Sequence, residues 1–114
     1  PSTDPMVIAE SVLKRLTVYL SYGPVVAMVW QGAHSVKIVR KIVGGTEPLT
    51  SDVGTIRGDY VLDSYQLAGF NDRCVRNLVH ASGSVKEAED EIAHWFNKEE
   101  IMNYDSITET ILYK

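Results

Sequence analysis

The segment Arg76-Asn77-Leu78-Val79-His80-Ala81-Ser82-Gly83-Ser84 decides how the chain is interpreted. An apolar run ends at His80, a short turn of small residues follows, and Ser84 with Glu87 has the Ser-x-x-Glu spacing of a capping box, which predicts a helix from Ser84 or Val85. His80 is therefore expected at a strand end beside a helix N-terminus, whose free N–H groups and partial positive charge suit a phosphate. Because neutral imidazole is nucleophilic near neutral pH, the segment predicts a histidine placed to meet an anion.

Composition limits the classes of protein to consider. The 114 residues suit one domain, over residues 1–114, and 45% hydrophobic with 23% charged residues is typical of a soluble globular protein. The longest apolar stretch, residues 24–30, is too short to cross a membrane, and the first five residues carry no signal pattern. A net charge of −4 argues against a dedicated nucleic-acid surface, although local basic clusters could hold a small phosphorylated ligand. Cys74 is the only cysteine, which fits the reducing cytoplasm.

The pattern of apolar residues predicts three helices and two strands. Asp4 and Pro5 read as the N-cap and first residue of a helix, and further helices are expected over residues 33–43 and 85–96. The runs 25–30 and 74–79 read as buried strands, residues 98–101 as a short turn, and the apolar tail 104–114 as a segment that packs on this domain or a neighbour. The side chains assigned to the core include Val12, Leu13, Leu16, Tyr19, Leu20, Trp30, Cys74, Trp95 and Phe96.

Two arginines are placed to reach an anion. Arg40 falls at the edge of the apolar face of the second helix, so it can reach a site without being buried. Arg57 lies between Gly54 and Gly58 in the long loop expected over residues 46–59, where backbone N–H groups can approach a phosphate and the guanidinium can grip it in a fork. Residues 60–73 read as irregular surface structure. Thr55 reads as a cap or turn residue, and His34 and His94 as structural.

The chain resembles the nucleoside diphosphate kinase family. Three segments carry the resemblance in the family's order: 23–32 (Gly-Pro-Val-Val-Ala-Met-Val-Trp-Gln-Gly), 54–59 (Gly-Thr-Ile-Arg-Gly-Asp) and 76–82, which contains Asn-x-x-His-x-Ser. The resemblance implies an α/β (α+β) fold, a ferredoxin-like antiparallel sheet with flanking helices. It also implies transfer of the terminal phosphate of a nucleoside triphosphate to a nucleoside diphosphate by a ping-pong route through a phosphohistidine. Mg²⁺ would be bound through the nucleotide phosphates, with no metal ligand from the protein.

The resemblance also assigns roles to residues. His80 is the nucleophile, Glu91 holds its other ring nitrogen, and Ser82 supplies a hydroxyl beside the histidine; helical periodicity alone would equally allow Glu89 for that glutamate. The nucleotide contacts are Arg40, Thr46 and Arg57 to the phosphates, Asn77 to the sugar, and Val12 and Leu16 at the base. The family forms homo-oligomers, usually hexamers and sometimes tetramers.

The sequence departs from the family's pattern in four places. No Lys-Pro-Asp motif is present, so we expect the N-terminal strands of the sheet to be missing from this chain. Val12 stands where the family has a base-stacking aromatic, Gly83 where it usually has an aspartate, and residues 63–73 read as an insertion before the catalytic strand. These departures leave two rivals open: a non-catalytic nucleotide-binding or assembly module that kept the fold, and a structural fragment that folds only with its front segment.

Overall fold

The computed structural model describes residues 3–114, and these residues form helices joined by irregular segments. The α-helices are α1 (Pro5–Leu20), α2 (Ser35–Val43), α3 (Ile56–Tyr60), α4 (Tyr65–Phe70), α5 (Val85–Trp95) and α6 (Ile107–Tyr113), and a 3₁₀ turn covers Lys98–Glu100. In this part of the chain no helix combines the length and the apolar character needed to span a membrane.

The predicted starts of α1 and α5 are confirmed by their caps, whereas α2, predicted from residue 33, begins at Ser35 without a side-chain cap. The Asp4 side chain accepts a hydrogen bond from the backbone N–H of Met6 (2.9 Å), with Pro5 in the first turn of α1. At α5 the Ser84 hydroxyl accepts from the N–H of Glu87 (3.1 Å). The Glu87 carboxylate accepts from the N–H of Gly83 (2.8 Å), so it bonds one residue earlier than in a standard capping box. These hydrogen bonds fix the residue at which the turn 81–84 ends and α5 begins.

The structure assigns no strand to either of the two runs for which strands were predicted. Residues 24–30 and 74–79 carry no regular secondary structure, and no backbone hydrogen bond joins the two segments. A strand pairs its N–H and C=O groups with those of a neighbouring strand, and within residues 3–114 no backbone ladder forms along either run. The first run is accordingly exposed rather than buried, with Val26 at 87% and Trp30 at 62% exposure.

The region between α2 and the segment that leads to His80 contains two helices, α3 and α4, that the sequence pattern did not predict. The loop predicted for residues 46–59 ends at Thr55, the N-cap of α3, whose hydroxyl accepts from the N–H of Gly58 (3.0 Å). Thr55 is therefore the cap residue that its sequence position indicated. The irregular segment predicted for residues 60–73 contains α4, capped by the Ser64 hydroxyl, which accepts from the N–H of Leu67 (3.1 Å).

The buried part of the structure is small and lies around the end of α2, α3, α4 and the turn after His80. Val43, Ala68 and Ala81 are buried apolar residues, and Arg57 and Asp63 are buried charged ones. Most of the residues assigned to the core are exposed, namely Val12, Leu13, Leu16, Leu20, Trp30 and Trp95. Tyr19, Cys74 and Phe96 are half-buried. The predictions failed because α1 and residues 24–30 meet too little of the described chain to cover their apolar faces.

The apolar tail reaches the domain through one contact. The Tyr113 hydroxyl at the end of α6 accepts a hydrogen bond from the backbone N–H of Ala33 (3.1 Å), just before α2. Ile111 and Leu112 on the same helix are exposed. The Tyr113 hydrogen bond therefore joins the tail to this domain, in agreement with the prediction that the tail packs on this domain or a neighbour.

Candidate active site

The buried Arg57 side chain organises the backbone of the candidate site. It projects from α3 and donates hydrogen bonds to the carbonyl oxygens of Gly44 (3.3 Å) and Gly45 (3.1 Å), in the turn after α2. It also donates to the carbonyl oxygens of Asn77 (3.3 Å) and Val79, in the segment that leads to His80. Burial lowers the pKa of Arg57, and the positive charge of Arg40 lowers it further. Arg57 therefore ties the turn after α2 to the segment that leads to His80.

His80 forms a chain of hydrogen bonds with two other residues of the site. Its Nε2 atom lies 2.8 Å from Oε1 of Glu91 on α5, while the Ser82 hydroxyl donates to the other carboxylate oxygen. The structure thus places Glu91, rather than Glu89, against the histidine. The Ser82 hydrogen bond lowers the pKa of Glu91, burial opposes that effect and His80 adds to it. The His80 side chain remains 68% exposed, so its ring is accessible from solvent.

Arg40, Thr46 and Asn77 lie around the same segments. The Arg40 guanidinium donates to the carbonyl oxygen of Ala81 (3.1 Å), one residue after His80, and Arg40 is exposed, as its place at the edge of α2 predicted. The Asn77 amide donates to the carbonyl oxygen of Thr46 (3.1 Å). The structure therefore brings Arg40, Arg57, His80, Ser82 and Glu91 to one place, with Asn77 and Thr46 at its side.

The base end of the predicted site is less enclosed. Val12 and Leu16 are 47% and 44% exposed. The predicted insertion, residues 63–73, is held by an ion pair and a backbone hydrogen bond. Both nitrogens of the Arg73 fork bond the Asp63 carboxylate (2.7 and 3.0 Å), and the backbone N–H of Arg76 donates to the same group (2.7 Å). These contacts hold the pKa of Asp63 far below its usual range, chiefly through Arg73, against the opposing effect of burial.

Sequence reasoning missed two contacts that shape this region. Tyr19, assigned to the core, uses its hydroxyl to accept from the backbone N–H of Leu78 (3.1 Å). Leu78 has a left-handed backbone, with φ of 70°. The only signal in the sequence was a tyrosine in an otherwise aliphatic helix face. Asp63 was placed in irregular surface structure and is buried; its spacing to Arg73 gave no pattern that would have paired them.

The residues present offer no cluster for a metal ion. Across residues 3–114 no group of three or more His, Cys, Asp and Glu side chains is arranged to hold a metal. Glu91, the carboxylate beside His80, already receives two hydrogen bonds. A divalent cation at this site would therefore fit only as part of a ligand that carries its own oxygen ligands, such as a polyphosphate.

Comparison with known proteins identifies the family. Residues 8–101 match the sequence profile of the family described as nucleoside diphosphate kinase. A nucleoside diphosphate kinase of Pyrobaculum aerophilum is 48% identical over 99 residues, covering 87% of this chain and 54% of that protein. The human nucleoside diphosphate kinase B is 42% identical over 99 residues, covering 87% of this chain and 59% of its own length. The chain belongs to the nucleoside diphosphate kinase family.

Solved structures agree on the fold. An NDP kinase from Pyrobaculum aerophilum superposes with a TM-score of 0.86 at 47% identity, covering 90% of this chain and 56% of that one. A transition-state mimic of the Borrelia burgdorferi enzyme, with bound vanadate and ADP, gives 0.86 at 35% identity, covering 96% and 66%. These neighbours support the ferredoxin-like α/β fold predicted from the sequence. The chain spans little more than half the length of the curated relatives that it matches.

Proposed function

We propose that this chain carries the active site of a nucleoside diphosphate kinase. The observation that supports the proposal is the hydrogen-bonded chain from Ser82 through Glu91 to Nε2 of His80, with Arg40 and Arg57 beside it. The Borrelia burgdorferi relative, with vanadate and ADP, shows that the family's fold accommodates a nucleotide with a phosphate mimic. The substrates proposed here are a nucleoside triphosphate as donor and a nucleoside diphosphate as acceptor.

The proposed mechanism begins with the tautomer of His80. The Glu91 carboxylate, whose pKa is lowered, accepts a hydrogen bond from Nε2–H of His80, so the free lone pair lies on Nδ1. Nδ1 attacks the terminal phosphorus of the triphosphate, a P–N bond forms, and the P–O bond to the nucleoside diphosphate breaks with its electron pair on the leaving oxygen. A terminal oxygen of a second diphosphate then attacks the phosphorus, a P–O bond forms, and the P–N bond breaks with its electron pair on Nδ1, which restores neutral His80 and releases a triphosphate.

The arginines have different parts in this proposal. Arg40 is exposed and holds a single backbone carbonyl, so most of its guanidinium donors remain for the transferring phosphate, where positive charge stabilises the transition state. Arg57 has three of its nitrogens bonded to backbone carbonyls. We propose that Arg57 presents its remaining donor to the phosphates while it holds the His80 segment in place.

The remaining assignments rest on the same proposal. Thr46 would contact the phosphates, Asn77 the sugar, and Val12 with Leu16 would give the base an apolar surface. Mg²⁺ would enter bound to the nucleotide phosphates and supply charge neutralisation there. Residues 1–114 would belong to one antiparallel, ferredoxin-like domain, which assembles as a homo-oligomer, a hexamer or tetramer, in the cytoplasm.

The proposal is tested by labelling. Protein is incubated with Mg²⁺ and ATP labelled in the terminal phosphate, and the label is then challenged with acid and with alkali. We expect label that survives alkali and is lost in acid, as for a phosphohistidine, and that passes to added GDP. His80→Ala should carry no label, whereas the matched control His94→Ala, an exposed histidine at the end of α5, should label normally. Nucleotide binding without any label would instead identify a non-catalytic binding module.

A further inference from the structure

An open cavity of about 320 Å³ lies between α1 and residues 72–76. Its lining includes Lys14, Tyr19 and Tyr22 from one side and Arg73 and Arg76 from the other. None of His80, Glu91, Ser82, Arg40 and Arg57 contributes to it. The volume is at the lower end of the roughly 300–1,000 Å³ that is usual for small-molecule sites. The cavity is therefore large enough for a small ligand and separate from the residues proposed for phosphoryl transfer.

The charges around this cavity are strongly unbalanced. Four cationic side chains line it, whereas Asp72 is the single acidic one. Arg15 is paired with Asp72 (2.8 Å), and Arg73 is paired with Asp63 (2.7 Å). Lys14 and Arg76 have no ion pair within residues 3–114. In a chain whose net charge is −4, two uncompensated cations at one cavity create a local positive potential that favours an anion.

The cavity also offers an aromatic surface. The Arg76 guanidinium lies over the ring of Tyr22, 5.8 Å from its centre, which holds that cation at the cavity wall. Tyr19 lines the cavity while its hydroxyl is occupied by the N–H of Leu78. A ligand that combines a phosphate with a planar ring could thus contact both the cations and the tyrosine rings.

We propose that this cavity is a second binding site, for the phosphate group of a small phosphorylated molecule, with Lys14 and Arg76 as its cationic contacts. The ion pairs Arg15–Asp72 and Arg73–Asp63 hold the walls, so Lys14 and Arg76 supply the free charge. The phosphate can belong to inorganic phosphate or to an aromatic phosphate ester such as a nucleoside monophosphate. The site does not depend on phosphotransfer at His80.

The test is a calorimetric titration of the whole protein with AMP and, separately, with inorganic phosphate. AMP is chosen because it is neither the donor nor the acceptor of the proposed reaction. We expect Lys14→Gln/Arg76→Gln to weaken binding about fivefold to tenfold, as removal of two partly solvated charge contacts should. Binding of AMP alone would assign the site to an aromatic ester, and equal binding of both probes to the phosphate itself.

Two controls separate this site from its alternatives. Lys37→Gln removes an exposed charge of α2 outside the cavity and should leave the affinity within twofold. Arg40→Gln removes a cation of the His80 site, so its effect measures how much of the binding of each probe occurs there. The proposal is overturned if neither probe binds, if the double variant binds as tightly as the original protein, or if Arg40→Gln weakens binding as much as the double variant. Circular dichroism of each variant verifies that the helices are retained.

Discussion

The Nε2 atom of His80 and the Oε1 atom of Glu91 lie 2.8 Å apart, across the turn that joins the histidine to α5. Glu91 can hold the ring in this way only while its carboxylate is ionised and correctly turned. The Ser82 hydroxyl donates a hydrogen bond to the other carboxylate oxygen, which helps to fix the orientation of the carboxylate. The same hydrogen bond is the main reason that the pKa of Glu91 is lowered. Ser82 is therefore a positioning residue that acts through Glu91.

The first prediction concerns the Ser82→Ala variant. The pKa of Glu91 should rise toward its usual 4.5, and Ser82→Thr, which keeps a hydroxyl, should retain the lowered pKa. A lowered pKa in the folded state adds stability above pH 4.5 that is lost as pH falls through the folded value, so Ser82→Ala should lose less stability on acidification. Carboxyl NMR titration measures the pKa directly. An unchanged Glu91 titration in Ser82→Ala would contradict the role assigned to the hydroxyl.

The second prediction concerns the ion pair between Arg73 and Asp63, in the segment that precedes His80. Arg73→Gln leaves the buried Asp63 carboxylate with the N–H of Arg76 but without its guanidinium partner. Breaking such a pair should lower the free energy of unfolding by about 3 kcal/mol, at the low end of the usual range because Arg73 is partly exposed. The matched control is Asp72→Asn, next to it in sequence. It breaks the exposed pair with Arg15 and should cost less than about 1 kcal/mol in urea denaturation.

The same ion pair should determine how the protein responds to acid. The pKa of Asp63 is lowered from its usual 3.8, mainly by Arg73. Its stabilising contribution is therefore complete above that pH and is lost as pH falls below it. Unfolding measured at neutral pH and at successively lower pH should show a smaller acid-induced loss in Arg73→Gln than in the original protein. Equal losses in both proteins would show that the pair is not responsible.

The helix ends and the site residues could be predicted from sequence because their signals are local. Ser84 with Glu87, and Asp4 with Pro5, specify helix starts within a few residues. The strands could not be verified in the same way, since a strand depends on a distant partner that local patterns do not reveal. Asp63 and Arg73 show the same limit, because their pairing depends on α4, a short helix that only its cap at Ser64 would have indicated.

The third prediction compares two glycines in neighbouring helices. A Cβ at Gly58 would lie 2.1 Å from the backbone oxygen of Asp52, so Gly58→Ala forces the turn before α3 to open and should displace Arg57. A Cβ at Gly69 in α4 meets nothing within 4 Å. Gly69→Ala should therefore be neutral or stabilise the protein by up to about 1 kcal/mol, through helix propensity. Thermal unfolding distinguishes the two, and a Gly58→Ala protein as stable as Gly69→Ala would mean that the turn is not closely packed.

The fourth prediction separates the two arginines of the site. Arg57→Lys replaces a fork that reaches four backbone carbonyls with a single ammonium group, so several partly buried carbonyls lose a donor. The free energy of unfolding should fall by about 2 kcal/mol or more. Arg40→Gln alters an exposed side chain with one backbone contact and should change stability by less than about 1 kcal/mol.

In phosphoryl transfer, by contrast, Arg40→Gln should have a large effect although it hardly changes the stability of the protein. If Arg40 stabilises charge on the transferring phosphate, its loss should lower kcat about 100-fold, as for the removal of one transition-state donor, although the protein stays folded. The measurement is the transfer from ATP to GDP, followed beside urea denaturation of the same preparations. Two further variants serve as controls. Lys37→Gln, also on α2, should retain both activity and stability, whereas Arg57→Lys should lose both. An Arg40→Gln protein with undiminished kcat would remove Arg40 from the transition state and leave only its contact with Ala81.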